Sequence, residues 1–178
     1  CSSDLAFLDA DDRWTEDHLA VHARHLNDKP HVGISFGRVR FFDPAMRAGG
    51  RRAGFVAELS LAHAIGENPI CTTSNLVARR SAFERVGGFD PTMRHAEDQE
   101  WVARVLAATR WAACGVDATT VDYRLSANGL SADLDEMLAG WSAMLERIRA
   151  LQPLTVAEAE PAARALFERY LEIGRAHV

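Results

Sequence analysis

A short apolar run that ends in acidic residues lies near the start of the 178-residue chain. Leu5 to Leu8 is unbroken in apolar residues, and Asp9, Asp11 and Asp12 follow at once. Such a run is typical of a buried strand in a parallel or mixed sheet. The strand would deliver the carboxylates to its carboxyl-terminal edge, where α/β sheets bind ligands. The sequence therefore predicts an α/β domain with an acidic site at that edge.

The chemistry of this acidic cluster suits a hard divalent cation. Neighbouring carboxylates repel one another unless a cation, a base or solvent compensates. Mg²⁺ and Mn²⁺ bind through one or two carboxylates, waters and substrate phosphate oxygens, without a histidine or cysteine cage. A solvated turn or a helix cap is an equally open interpretation of the cluster alone. An EF-hand calcium loop is disfavoured, because Trp14 stands where such a loop has glycine. A phosphatase with an Asp nucleophile is conceivable, but Asp12-Arg13 departs from the small hydroxyl residue expected after its second Asp.

A second acidic pair, Glu97-Asp98, stands at the predicted start of a helix over Glu97 to Ala108. The tight turn Gly87-Gly88-Phe89-Asp90-Pro91 precedes it. Carboxylates at a helix start are favoured by the helix dipole, so capping is one interpretation. The other is a general base that takes a proton from an acceptor hydroxyl. The helix is amphipathic. Its apolar side carries Trp101, Val102, Val105 and Leu106, and its polar side carries Glu100 and Arg104.

The other hydrophobic patterns predict further helices and strands. We expect helices over Thr15–Asn27, Phe55–Ile65, Ser81–Gly87, Asp133–Leu151 and Thr155–Leu171. We expect strands over Val32–Phe36, Val39–Phe42, Thr72–Val77, Trp111–Cys114 and Thr119–Tyr123, turns at Asp43-Pro44 and Asn128-Gly129, and a loop over Ala48–Arg52. The first helix should be capped by Thr15 and bury the stripe Leu19, Ala20, Ala23 and Leu26.

Composition excludes several classes of protein. A net charge of -5 without a basic stripe argues against nucleic acid as a partner. No apolar run approaches the roughly 18 residues of a membrane span. Cys1, Cys71 and Cys114 are odd in number and far apart, which argues against a disulfide framework and a zinc site. We expect a cytoplasmic protein, or one attached peripherally to the inner face of the membrane.

Five motifs together resemble the inverting family 2 glycosyltransferases. In chain order they are Phe7-Leu8-Asp9-Ala10-Asp11-Asp12-Arg13-Trp14, Thr73-Ser74-Asn75-Leu76-Val77-Ala78-Arg79-Arg80, Gly87-Gly88-Phe89-Asp90, Glu97-Asp98 and Tyr123-Arg124. Each motif is weak alone, and the specificity lies in their order and spacing between Asp4 and Ser131. The resemblance implies a GT-A type, Rossmann-like mixed sheet flanked by helices, incomplete at its N-terminus and followed by C-terminal helices.

The resemblance also implies roles for individual residues. Asp9 and Asp11 form the D-x-D that holds a nucleotide-sugar donor, with Asp11 as the ligand of Mg²⁺ or Mn²⁺. Asp98 is the catalytic base, and Glu97 positions the acceptor or a loop. The acceptor is a glycan or another hydroxyl compound. Arg80 and Arg104 either contact phosphates or the acceptor, or form structural ion pairs.

One feature of the chain departs from the family pattern. Leu125-Ser126-Ala127 stands where the family carries a histidine after Tyr123-Arg124, so no histidine contact to the diphosphate is implied.

The expected organisation has three parts. Residues 1–132 form the C-terminal part of a GT-A domain that lacks its N-terminal nucleotide-binding part, and 133–172 form a helical extension. Residues 173–178 match a translated sequencing adapter and are expected to be non-native, the alternative being an ordinary frayed terminus. The fragment alone is expected to be inactive.

The expected function is metal-dependent sugar transfer with inversion, in polysaccharide biosynthesis. The alternatives are a non-catalytic nucleotide- or carbohydrate-binding module of the same fold, and a metal-dependent phosphohydrolase.

Overall fold

A computed structural model describes residues 4–42, 52–125 and 133–175, the last seven by their backbone only. Several expected features lie outside the described residues. They are the turns at Asp43-Pro44 and Asn128-Gly129, the start of the loop at 48–52, and Ser126-Ala127, where the chain departs from the family pattern. No helix in these ranges is long and apolar enough to span a bilayer.

The chain forms two compact units, each discontinuous in sequence. Unit 1 comprises Cys1–Leu59, Pro69–Gly87 and Arg110–Ser126. Unit 2 comprises Ser60–Asn68, Gly88–Thr109 and Ala127–Val178. The C-terminal helices thus share unit 2 with two earlier segments, a grouping that the sequence did not predict. The expected organisation into 1–132, 133–172 and 173–178 stays a prediction.

Unit 1 is built on a mixed sheet, which confirms the predicted α/β class. Its described strands are β1 (Asp4–Ala6), β2 (Arg13–Trp14), β3 (Val32–Phe42), β4 (Glu58–Leu59), β5 (Val77–Arg79) and β6 (Ala112–Arg124). The order is β1-β5-β3-β6-β2, and β4 also pairs with β6. The long strands β3 and β6 run parallel, and the other described pairs are antiparallel.

The described helices are divided between the two units. Unit 1 contains α1 (His18–Asp28), a 3-10 turn (Thr73–Asn75) and α3 (Arg80–Val86). Unit 2 contains α2 (Leu61–Gly66), α4 (Glu97–Ala108), α5 (Leu134–Leu151) and α6 (Pro153–Arg175). The predictions of α3, α4 and α5 are confirmed to within one or two residues, because each has a continuous amphipathic pattern bounded by a turn or a capping residue.

Four predicted strands merge into two long ones. The segments expected at Val32–Phe36 and Val39–Phe42 form the single strand β3, whose pairing with β6 is irregular on both sides of Arg38. Gly37 is required there because a Cβ at this position would lie 2.1 Å from Oγ1 of Thr120 on β6. The gap between the two predicted strands is thus a close approach of β3 and β6 within a continuous sheet.

Two segments were assigned the wrong structure. Thr72–Val77 was expected to be a strand, but its first part is the 3-10 turn and β5 begins only at Val77. The reason is local, since Oγ1 of Thr72 accepts a hydrogen bond from the Ser74 amide and so competes with strand pairing. Phe55–Ile65 was expected to be one helix, but it contains β4 before the short α2.

The first strand is shorter and more exposed than predicted. Only Asp4–Ala6 pairs, at the edge of the sheet beside β5, and Leu8 is 49% exposed. An edge strand has one side without a partner strand, so the apolar run Leu5–Leu8 does not have to be fully buried.

The predicted buried stripe of α1 is correct at Leu26 and wrong at its other three positions. Leu19 is 55% exposed, Ala20 and Ala23 are exposed, and His18 and His22 are buried instead. The histidines are buried because the sheet offers them polar partners: Nδ1 of His22 lies 2.7 Å from Oγ of Ser35. Thr15 does not cap the helix, since its hydroxyl donates to Asp17, the N-cap residue.

Unit 2 has an apolar core built by α4, α5 and α6. On α5 the side chains of Trp141, Met144, Leu145 and Ile148 are buried. Each buried aliphatic side chain contributes roughly 1.5–3 kcal/mol to folding. Nε1 of Trp141 donates to the carbonyl of Ile65, so this buried indole leaves no unsatisfied donor.

The polar side predicted for α4 is wrong at Glu100, which is only 1% exposed. Its carboxylate accepts two hydrogen bonds of 2.9 Å from the guanidinium of Arg104, which also donates to the carbonyl of Gly88. A buried carboxylate is tolerated because this bidentate pairing compensates for its lost hydration. Arg104 therefore has the structural pairing that the sequence left as one of two interpretations.

Burial of His22 predicts a pH-dependent stability. Burial first, and then the neighbouring His18 and His25, lower the pKa of His22 to about 3. Between pH 6.5 and 3 the unfolded chain binds a proton that the folded chain does not, so acidification destabilises the fold by up to about 1.4 kcal/mol per pH unit. We expect His22 to lower the free energy of unfolding by about 2 kcal/mol between pH 7 and pH 5, as measured by denaturant unfolding.

The variants His22→Gln and His31→Gln separate this contribution from general effects. His22→Gln should reduce the loss of stability on acidification, whereas His31→Gln, at an exposed position in the same unit, should retain the wild-type loss. An unchanged pH dependence in His22→Gln would contradict the assignment.

A strained residue at the start of α4 predicts an unusual response to glycine. Ala96, the residue before the helix, has φ 59, in the left-handed region. That conformation costs a non-glycine residue roughly 1–2 kcal/mol, more than the roughly 0.5–1 kcal/mol that glycine loses in backbone entropy. Ala96→Gly should therefore leave the free energy of unfolding unchanged or raise it by up to about 1 kcal/mol.

The matched control is Ala143→Gly, at an exposed position inside α5, which should lower the free energy of unfolding by about 1 kcal/mol. Equal losses in the two variants, measured by chemical denaturation, would refute the strain at Ala96.

Candidate active site

The carboxylates of Asp9 and Asp12 converge on one hydroxyl in unit 1. Oγ1 of Thr72 lies 3.1 Å from Oδ2 of Asp9 and 3.1 Å from Oδ2 of Asp12. A threonine hydroxyl has one proton, so it cannot fully satisfy both carboxylates at once. The structure thus brings together the first and last residues of the predicted acidic cluster, on a partner that sequence analysis missed.

Ser74 holds the backbone and the side chain of Asp9 together. The Asp9 amide donates to Oγ of Ser74 at 3.0 Å, and that hydroxyl in turn donates to Oδ2 of Asp9 at 3.2 Å. Nε1 of Trp14 donates to the carbonyl of Ser74 at 2.8 Å. The loop after β1 is therefore fixed to the 3-10 turn at both of its ends.

Asp12 is the buried member of the cluster, at 8% exposure. Burial raises the pKa of its carboxyl, hydrogen bonds from Ser74, the Arg124 amide and Thr72 oppose that rise, and the charge of Asp9 adds to it. The Arg124 amide donates to Oδ1 of Asp12 at 3.0 Å, so the Tyr123-Arg124 motif supports the acidic loop through its backbone. Asp12 therefore acts as the anchor of the loop.

Asp11 lies between Asp9 and Asp12 in the chain and is exposed. Within the described ranges no three His, Cys, Asp or Glu residues are grouped as a complete metal cage. A hard cation does not need one, because one or two carboxylates, waters and phosphate oxygens suffice. Asp9 and Asp11 are therefore the residues that would hold the Mg²⁺ or Mn²⁺ that the resemblance implies.

Glu97 and Asp98 occupy the first turn of α4 in unit 2, as predicted, and both are half-buried. Oδ1 of Asp98 accepts from the Gln99 amide at 2.7 Å, and Nδ2 of Asn68 approaches Oδ2 at 3.5 Å. Gln99 donates through its side chain to the carbonyl of Ala64 at 2.7 Å. These contacts fix the orientation of the Asp98 carboxylate relative to its own unit.

Backbone strain accompanies both acidic sites. Among the described non-glycine residues, positive φ occurs at Cys71 (φ 70) and at Ala96 (φ 59). Cys71 precedes Thr72, and Ala96 precedes Glu97 and Asp98. Residues held in the left-handed region are enriched at functional sites, because only a well-determined environment maintains them. One strained residue therefore lies directly before Glu97 and Asp98, and the other lies directly before Thr72, which contacts Asp9.

The residues that sequence analysis missed are small and polar. Thr72 and Ser74 bind Asp9, and Asn75 ends the 3-10 turn. The signal was present as hydroxyl and amide side chains in Thr72-Thr73-Ser74-Asn75, a composition that favours local side-chain hydrogen bonds over a strand. Arg80 begins α3 at an exposed position and remains a candidate contact for phosphate.

No protein-family model matches the chain, and no curated protein sequence matches it significantly. Solved structures do match. One is S. aureus TarS, with a TM-score of 0.61 and 14% identity over 98% of this chain and 29% of the TarS chain. Another is S. aureus TarS 1-349 in complex with UDP-GlcNAc, with a TM-score of 0.62 and 13% identity over 97% of this chain and 50% of that chain.

At this identity the likeness concerns the fold alone. The chain spans half of TarS 1-349 and less than a third of the longer TarS chain. The predicted fold class is nevertheless confirmed. The chain has a mixed α/β sheet with flanking and C-terminal helices, and it matches the GT-A fold of TarS.

Proposed function

We propose that this chain is part of a glycosyltransferase that moves a sugar from a nucleotide-diphosphate donor to an acceptor hydroxyl with inversion. The observation that carries the proposal is the pair of carboxylates, Asp9 and Asp12, held on Thr72 in a chain with the GT-A fold. A TarS structure contains UDP-GlcNAc, which makes this compound the first donor to test.

The reaction balances without an oxidant or a second co-reactant. The acceptor oxygen forms a bond to the anomeric carbon, while the bond from that carbon to the diphosphate oxygen breaks. Asp98 takes the hydroxyl proton of the acceptor, and the nucleoside diphosphate leaves with the bonding electron pair. Attack from the face opposite the leaving group inverts the configuration of the anomeric carbon.

Each residue has a proposed part in this reaction. Asp9 and Asp11 hold the donor, and Glu97 positions the acceptor or a loop. Mg²⁺ or Mn²⁺ held by Asp11 would neutralise charge on the diphosphate as it leaves. Asp12 keeps the loop in place through Thr72 and the Arg124 amide.

We expect the protein to act in the cytoplasm, or at the inner face of the membrane, in building a polysaccharide. The acceptor would be a glycan or another compound with a free hydroxyl. The runner-up is a non-catalytic nucleotide- or carbohydrate-binding module, which would bind the donor without turnover.

The role of Asp98 is tested by Asp98→Asn in the complete gene product that contains this chain. The amide has the same shape but cannot accept the proton, so kcat for sugar transfer should fall by about 10²–10⁴-fold. The Kd for the donor should stay within about threefold, because the substitution removes only a transition-state interaction. Both are measured with UDP-GlcNAc first and then with other nucleotide sugars.

Glu97→Gln is the matched control, with the same loss of charge one residue away. It should raise KM for the acceptor with a smaller effect on kcat. Equal loss of kcat in both variants would argue against Asp98 as the base, and donor binding without turnover in the wild type would favour the binding module.

The metal assignment is tested by removal of divalent cations. Chelation should abolish transfer and Mn²⁺ should restore it, because the diphosphate charge would otherwise be unbalanced. Asp11→Asn should raise the Mn²⁺ concentration for half-maximal activity by about tenfold, corresponding to about 1.4 kcal/mol of lost binding.

The exposed Glu16 gives the control, since Glu16→Gln removes one nearby charge without touching the D-x-D. Full activity in the presence of chelator, or an equal shift in both variants, would contradict a metal at Asp11.

A further inference from the structure

The side-chain amide of Asn75 lies in the interior of unit 1 with all its hydrogen-bonding groups engaged. Its Nδ2 donates to the carbonyls of Gly37 and Ile70, at 2.9 and 3.0 Å. Its Oδ1 accepts from the Gly37 amide at 2.9 Å and from Oγ1 of Thr120 at 3.2 Å. Because two carbonyls face the nitrogen and an amide proton faces the oxygen, the orientation of this side chain is fixed.

This orientation fixes the direction of the next hydrogen bonds. Thr120 must give its one hydroxyl proton to Asn75, so its oxygen can only accept from Nε2 of His22, 3.3 Å away. Nε2 of His22 therefore carries the proton, and Nδ1 must accept. The hydroxyl of Ser35, 2.7 Å from Nδ1, is the donor.

The chain of donors continues to a second histidine. Since Ser35 donates to His22, its oxygen accepts from Nδ1 of His25, 2.8 Å away. The sequence of donors is thus His25, Ser35, His22, Thr120 and Asn75, which we call the relay. His22 must be neutral in it, and burial, which lowers the pKa of His22 to about 3, keeps it neutral near pH 7.

The relay ends at the segment that holds the acidic loop. Asn75 is the last residue of the 3-10 turn, and its bond to Ile70 closes the loop around Cys71. The same turn presents the hydroxyls of Thr72 and Ser74 to Asp9. A change in the position of Asn75 is therefore transmitted to the two hydroxyls that orient the carboxylate.

We infer that Thr120, together with His22 and Asn75, is a positioning residue for the donor site, acting on Asp9 through Thr72 and Ser74. The expected effect on donor binding rests on the proposed function. The effect on the order of the 3-10 turn does not, because that order is measured without any donor. Gly37 belongs to the same arrangement, since a Cβ there would collide with Oγ1 of Thr120.

The test compares Thr120→Val with Thr120→Ser in the full chain. Valine keeps the volume of threonine but removes the hydroxyl, whereas serine keeps the hydroxyl and loses a methyl group. A role in packing alone would make serine the more damaging change. A role in the relay makes valine the more damaging one, because it removes the only partner of Nε2 of His22 among the described residues and one of the two donors to Oδ1 of Asn75. Thr119→Val, at the half-buried neighbouring position, is the control.

The first readout is amide hydrogen exchange at Asp9 and Ser74, whose amides bond to hydroxyls of the turn. In Thr120→Val we expect exchange at both to accelerate by about tenfold relative to that at Ile34 in β3. Thr120→Ser and Thr119→Val should stay within about threefold of wild type. If Thr120→Val does not fold, Ser35→Ala should accelerate the same two amides selectively by about threefold.

Three results would overturn the inference: unchanged exchange at Asp9 and Ser74 in Thr120→Val, an equal acceleration at Ile34 in that variant, or an equal acceleration at Asp9 and Ser74 in Thr120→Ser. The second readout is the Kd for UDP-GlcNAc with Mn²⁺ in the complete gene product, which should rise by about tenfold in Thr120→Val alone. If no variant and no wild-type protein binds a nucleotide sugar, the proposed function fails, while hydrogen exchange still decides the inference.

Discussion

The pairing of buried polar groups constrains unit 1 at the place where β3 and β6 approach each other most closely. Asn75 replaces missing strand contacts on both backbone groups of Gly37, at the place where β3 and β6 lose regular register. An unpaired amide or carbonyl there would cost roughly 1–3 kcal/mol. The same side chain orders the turn that carries Thr72 and Ser74, so sheet integrity and the geometry of the acidic loop have one common origin.

The sequence predicted the long helices and the mixed sheet well, for a clear physical reason. α4 and α5 have continuous amphipathic patterns with turn or capping residues at their ends, and such patterns depend only on neighbouring residues. The sites of the acidic pairs followed from the same local signals. Glu97 and Asp98 do begin a helix, and Asp9 does follow a strand.

What the sequence could not predict depends on contacts between distant residues. The buried side of α1 is lined by histidines because Ser35 and Thr120 on β3 and β6 accept or donate to them, and hydropathy alone assigns those faces to solvent. Glu100 is buried for a similar reason, since its carboxylate accepts from Arg104, which also donates to the Gly88 carbonyl. The roles of Asp11 and Asp98 depend on ligands, which sequence and fold leave as proposals.

The Thr72 hydroxyl shared by Asp9 and Asp12 has a consequence for how the acidic loop responds to its surroundings. Its one proton can be donated to only one of the two carboxylates at a time, so they depend on the Ser74 hydroxyl and the Arg124 amide for their other hydrogen bonds. A ligand that bound these carboxylates would favour the folded loop by mass action. Occupancy of such a ligand and local order at this edge of the sheet would then be linked in one equilibrium.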